Sequence, residues 1–592
     1  MKRTCLMLTV LAGLLVVPLV AAGQEPQTFA RYVPEGAVFY ATTQNAEAFW
    51  TKIEQSNFWV RFTQLKVWEG VDFAWYDDFR REFADKFGFA FDTKNLMAVL
   101  GREFAVALYV EPPADPASNA RIELLCAARM NPRDAVEGMV EKLLDRAKTE
   151  GAENVLLTSV EHRGTKIQSV KTKDNVPPLE LRFAMEGDVL LVGIANGVPR
   201  IEACLDCLAG EGTPLAGAKD FQRLMQLAHQ DHGTFLGEMY VSFEALHQMV
   251  EAHVTENPAL DPLGNMLKML TGSARTMAVT THLDRGLRIK FVAEPGPAIE
   301  EMMALWGKAE PAAATHAKYV RPDAIIYYGI NSMPPLGELW PQIMNMYAQM
   351  GLGIDEKIAQ AIEKVETTLD IDFKADVLDI IGPEMAFVLE GLDMEAAPFP
   401  FPKLTVLLQV KDKAKAEALI GKIVDLVETA APEEIVSEVT DLTHEGAALK
   451  VFHVSVPMLQ INLTPTIGIS ENFLVISTSE AYAKATLDAA KGGSSLLDSA
   501  FYRSLDIPEK TNAVVVLNID ELLKAARQVA QWVVTMAEMQ GAGEAAKQRV
   551  DDTVVPLLDC LSVLKAIAVY SVVTPDGPVG VYIIRAEDLP AN

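Results

Sequence analysis

Cysteine pairs, histidines beside carboxylates and a serine near a lysine are residue types that do chemistry, and this chain offers a candidate of each kind. Cys204 and Cys207 form a C-x-x-C, the spacing of a redox pair or of half a zinc site. They fall inside a helix that starts near Pro199, not at an N-terminus where free N–H groups would stabilise a thiolate. His229 and His232 could complete a tetrad with them, yet the 21 residues between Cys207 and His229 fit no compact finger. Packing thiols and no metal site are therefore expected. His444-Glu445 opens as a zincin motif does, but Ala448 stands where the second histidine ligand belongs. Ser562 and Lys565 have S-x-x-K spacing on an apolar helix, without the companion motifs. Gly351-Leu352-Gly353 begins like a dinucleotide loop and ends in Glu356, in a helical context. Glu103 and Glu384 could act as paired carboxylates; each follows a Gly at the start of a strand and reads more simply as an exposed turn residue. No catalytic residue and no cofactor are assigned.

Aromatic residues give the least ordinary pattern. Residues 49–91 hold 14 of the 44 aromatics, and Trp75, Phe79, Phe83 and Phe87 recur every fourth residue along one helix face. Such a stripe normally packs into a core. Its alternative is a groove or lid for an apolar ligand, and these four residues are the candidate binding set.

The elements that must position these residues come in two series. Tyr32-Val33-Pro34-Glu35-Gly36-Ala37-Val38-Phe39-Tyr40 aligns without a gap on residues 319–327, from Tyr319 to Tyr327. Farther on, Asp92 to Glu103 matches Asp372 to Glu384, with an Asp to cap a short helix and a Gly at φ > 0 to end it. Strand Ile122 to Ala128 and helix Asp134 to Ala147 match Leu404 to Val410 and Lys413 to Val427, which sets Cys126 opposite Leu408. Leu205-Asp206 matches Leu487-Asp488, and each series closes with a hairpin, at Asp284-Arg285-Gly286 and at Pro575-Asp576-Gly577. The reading is α+β: two tandem related halves, 24–305 and 315–592, each a mainly antiparallel sheet with helices packed on one face, an internal duplication.

Lys2 and Arg3 precede an apolar run to Ala22, the grammar of a signal peptide over residues 1–22, so export to the periplasm or beyond the cell is expected. A formal charge of −28 and pI near 4.8 exclude nucleic-acid phosphates as partners and oppose strong binding to anionic membranes.

The opening Tyr-Val-Pro-x-x-Ala-x-x-Tyr, the Asp-x-Lys-x-x-x-Leu-x-x-x-Gly-x-Glu-like block in both halves and the export signal resemble secreted bacterial proteins carrying domain of unknown function 3352. That resemblance implies an exported protein without an assigned catalytic site. The expected function is a non-catalytic binding or interaction module for an envelope protein. A carrier of an apolar ligand under the helices near Trp75 to Phe87 is one alternative; a hydrolase whose site assembles only in three dimensions is the other.

Overall fold

The computed structural model describes residues 28–587 except 45, 66–73, 101, 112–120, 150–153, 174–178, 230–232, 248–271, 298, 351–352, 396, 431–435, 457–460, 493 and 575–576. The signal segment, Gly101, His232 and the Pro575-Asp576 turn lie outside the described residues. The chain forms two compact units, the first ending at Pro297 and the second spanning Ala298–Glu587.

The first unit holds strands β1 (Phe39–Gln44), β2 (Glu103–Glu111), β3 (Arg121–Arg129), β4 (Val155–His162), β5 (Thr165–Thr172), β6 (Glu180–Glu186), β7 (Val189–Ala195), β8 (Thr234–Ser242), β9 (Ala274–Leu283) and β10 (Gly286–Pro295). Every pairing is antiparallel, in the order β10-β9-β8-β1-β2-β3-β7-β6-β5-β4. The second holds β11 (Ile326–Ile330), β12 (Ile381–Asp393), β13 (Phe401–Val410), β14 (Val436–His444), β15 (Ala447–Val456), β16 (Thr466–Ser470), β17 (Phe473–Ser477), β18 (Ala513–Asn518), β19 (Leu564–Thr574) and β20 (Gly577–Ala586). Its order is β20-β19-β18-β11-β12-β13-β17-β16-β15-β14, the same succession, again antiparallel throughout.

The α+β class with antiparallel sheets holds; the helices reach both faces of the second sheet, where the sequence reading put them on one. Tyr327, Leu407, Val475 and Val514, which share one face of the sheet, bury against α11 (Glu480–Ala490) through Ala483 and Leu487. On the other face α10 (Lys413–Ala430) sets Ala416, Ile420 and Val424, one side of the helix at a spacing of four, over Val410, Ile467 and Ile469. Helix α12 (Ile519–Met539) covers Leu517 and Ile567 on that same face, starting where Asn518 accepts the Glu521 N–H at 3.3 Å. Strands alternate along their length, so both faces are apolar and each needs a cover.

Helix ends follow the residues. Asp92 Oδ1 and Asp372 Oδ1 each accept a backbone N–H three residues on, at 2.9 Å. Gly382 departs from expectation. It lies in β12 without a left-handed φ, and a side chain there would meet Gln409, whose Cβ stands 2.9 Å from the position an added Cβ would take. Its smallness serves close approach between neighbouring strands.

Candidate functional site

One buried carboxylate anchors the start of each unit. Glu384, 6% exposed, accepts the backbone N–H and hydroxyl of Thr315 at 2.9 Å and faces His316 Nδ1 at 3.0 Å. The other ring nitrogen of His316 meets the Tyr327 hydroxyl at 2.9 Å. Glu384 thereby ties down the 3-10 turn Thr315–Tyr319 under β11. Burial pushes its carboxyl up, but the bonds from His316 and Thr315 outweigh that and hold it below the usual range. In the first unit Glu103, 5% exposed, pairs with Arg129 at 3.3 Å; there burial wins over the guanidinium and the carboxyl titrates high. Both glutamates are thus interior anchors and not exposed turn residues. The sequence reading missed the short 3-10 turn that folds back over them from some seventy residues upstream.

The Tyr–His–carboxylate chain has the connectivity of a proton relay. Its hydroxyl cannot meet a substrate, because His316 and Tyr327 are 0% and 1% exposed. Gly329 makes the room: a Cβ there would lie 2.6 Å from His316 Nε2 and closer still to the Tyr327 hydroxyl. Gly329→Ala is therefore expected to lose about 2 kcal/mol of stability by overpacking. Urea unfolding measures it, and a wild-type midpoint would show that the pair yields freely.

A second polar cluster, six residues farther along the same strands at Tyr109 and Glu390, occupies matching places in the two units. Arg200 stacks 4.4 Å over the Tyr109 ring and donates to fully buried Glu123 at 2.8 Å. In the second unit Lys403 lies 4.9 Å from the Tyr482 ring, whose hydroxyl donates to Asp393, beside buried Glu390. The charges differ between units while the location persists.

The remaining motifs resolve as structure. Cys204 and Cys207 lie buried in α6 (Ile201–Leu208), both reduced; burial pushes both thiols up, which disfavours the reactive thiolate. His229 turns instead to Glu238, 2.8 Å away. Strand register places Cys126 level with Val406, not Leu408; the two-residue difference keeps it on the same face. Lys565 is held by Asp520 and Glu587 at 3.5 and 3.0 Å, and Ser562 donates to the Asp559 carbonyl, so the two do not form a nucleophile and base.

Of the aromatic set, Phe79 and Phe83 come together on α3 (Ala74–Phe87), 5.9 Å between centroids; the side chains of Trp75 and Phe87 lie outside the described residues. Phe83 packs on Phe89 and Phe91 at 5.5 and 4.9 Å, while Phe79 is 40% exposed. Beside them is a shallow cleft of about 500 Å³ lined by Asp77, Arg80, Arg81, Ala84, Ala90 and Phe91. Trp50 and Trp59, edge to face at 5.0 Å, are core.

An open sheet face is what residue types alone did not reveal. Tyr582, Val569, Val515, Tyr328, Phe387, Val406 and Ile476 stand level across seven successive strands of the second unit. At about 4.8 Å per strand the row spans about 29 Å. It lies between the areas covered by α12 and α10, and Tyr328, Phe387, Ile476 and Tyr582 are 40, 39, 36 and 43% exposed. The first unit leaves Ile122, Leu124 and Ile194 exposed on the corresponding face. Of this row, alternation marks Val406 as half-buried, and it does not say which side a helix leaves open.

The described residues thus form two α+β units with buried polar clusters and partly exposed apolar strips. The chain belongs to the family described as protein of unknown function (DUF3352), whose model matches residues 17–444. No curated protein matches the chain, and no solved structure does.

Proposed function

We propose that this is an exported, non-catalytic interaction module, built from two copies of one ancestral unit, whose recognition surface is the apolar strip around Tyr328 and Phe387. The occupant is a partner protein presenting an apolar face with a basic rim. The strip itself carries the reading: aromatic and aliphatic side chains stand in one row across seven strands, four of them more than a third exposed, and exposed apolar patches mark contact surfaces. The charge of −28 selects the rim. Shared strand order supports duplication, as does a His–Asp contact found in both units, His162 to Asp206 and His444 to Asp488. The hydrolase reading draws nothing from the His316 network, which is sealed.

A Tyr328→Ser/Phe387→Ser variant should retain its melting temperature yet hold its native envelope partner at least about tenfold more weakly, the loss expected for two aromatic anchors. Asp498→Ala, on the opposite side of the unit, should leave binding intact. Equal retention by all three proteins would contradict the assignment.

One observation favours a carrier as the second reading: exposed Phe79 joins an aromatic cluster beside the cleft of about 500 Å³. Extractable lipid in the purified protein, reduced by Phe79→Ser, would support it; lipid-free protein would not.

A further inference from the structure

The turn between β14 and β15 brings together three side chains that ligate metals. His444 Nε2 lies 2.6 Å from Asp488 Oδ1 on α11, and one ligand atom from each of His444, Glu445 and Asp488 falls within 4.8 Å of the others. Glu445 at φ 45° and Gly446 at φ 79° form the tight turn that projects the set from the end of the hairpin.

The first unit supplies an internal comparison. Arg163 at φ 52° and Gly164 at φ 81° make the same turn, and His162 Nε2 contacts Asp206 Oδ1 at 2.8 Å. Where the second unit has Glu445, the first has Arg163, whose Nε donates to that same Asp206 oxygen at 2.6 Å. One unit therefore carries its own cation against the helix aspartate. The other replaces that cation with a second carboxylate, and among the described residues no Lys or Arg pairs with Glu445 or Asp488. What remains is one imidazole and two carboxylates, accessible to solvent and lacking the positive charge its counterpart contains.

We propose that His444, Glu445 and Asp488 bind a divalent transition-metal ion of the Zn²⁺ type, with water completing the shell. The imidazole nitrogen favours such an ion over Ca²⁺, which takes six to eight oxygens. The ion displaces the proton shared by Nε2 and Oδ1, which separate to about 3 Å so that each lies about 2 Å from it, and the neutral imidazole carries its proton on Nδ1. Bound there, it joins the hairpin to α11 as Arg163 joins the corresponding elements of the first unit. No contiguous motif contains the set, because the third ligand comes from 43 residues beyond Glu445.

Titrating the full chain with Zn²⁺ by calorimetry, and with Co²⁺ by visible absorption, tests this. Wild type should bind one ion more than Glu445→Arg, which copies the turn of the first unit. His444→Ala should weaken that site by at least about tenfold, the scale on which even a ligand's supporting partner matters. His162→Ala should leave it unchanged, and unaltered circular dichroism melts show that the variants fold. No saturable binding by wild type, or binding indifferent to His444→Ala and Glu445→Arg, would overturn the proposal. Loss in His162→Ala equal to that in His444→Ala would do so as well.

Discussion

Replacing His316 with Phe, the residue type at the corresponding Phe29 of the first unit, is expected to cost the second unit about 3 kcal/mol. His316 fills both sides of its site: Nδ1 serves the buried Glu384 carboxylate and Nε2 serves the Tyr327 hydroxyl, each at about 3 Å. A phenyl ring of similar shape serves neither. The first unit tolerates Phe29 because Glu103 has Arg129 at 3.3 Å, whereas Glu384 has only Gln409 on that side, at 3.4 Å. Thr315 and Gln409 still donate to the carboxylate, so the penalty is the loss of two buried imidazole bonds that leaves Glu384 and Tyr327 under-satisfied. Adding Glu384→Gln to His316→Phe should recover part of the loss, measured by urea unfolding of the four members of the cycle. Strictly additive effects would show that the residues act separately. Because Glu384 is held below its ordinary value of 4.5, its contribution is complete above that pH and fades as acid protonates the folded carboxylate.

Glu390→Gln should act in the opposite direction, with an effect that grows as pH rises from about 4.5 to about 7. Burial pushes the Glu390 carboxyl up to about 7, against the pull of Arg321 at 3.9 Å and with Asp323 opposing ionisation further. Lys403 and the Thr486 hydroxyl, 3.5 Å away, offset little of this. A carboxyl that titrates near 4.5 when unfolded and near 7 when folded favours folding while protonated. That advantage declines from about pH 4.5 and is gone above about pH 7, for a total of about 3 kcal/mol. The substituted amide does not titrate, so the variant should match wild type near pH 4.5 and exceed it by up to about 3 kcal/mol at pH 8. Chemical denaturation at both values reads the difference; a gap that does not change with pH would contradict the buried-acid account.

Much of the fold is legible in the residues. Alternation in Leu404, Val406, Leu408 and Val410 marks a strand, and Arg285-Gly286 marks a hairpin turn, both where expected. Local patterning, however, cannot report what folds over it from far along the chain. Glu103 and Glu384 look like turn residues until the 3-10 turns near Thr28 and Thr315 bury them. Nothing local singles out Phe387, whose 39% exposure depends on where distant helices lie. Glu445 and Asp488 are ordinary surface acids until the hairpin and helix meet.

Photocrosslinking from position 387 in the protein expressed in its native cells tests the central assignment most directly. An unnatural photoreactive residue replacing Phe387 should yield one discrete adduct with a basic-rimmed partner protein, while the same probe at exposed Asp498 yields none. Absence of an adduct at 387, or the same adduct from both positions, would contradict the sheet strip as the recognition surface.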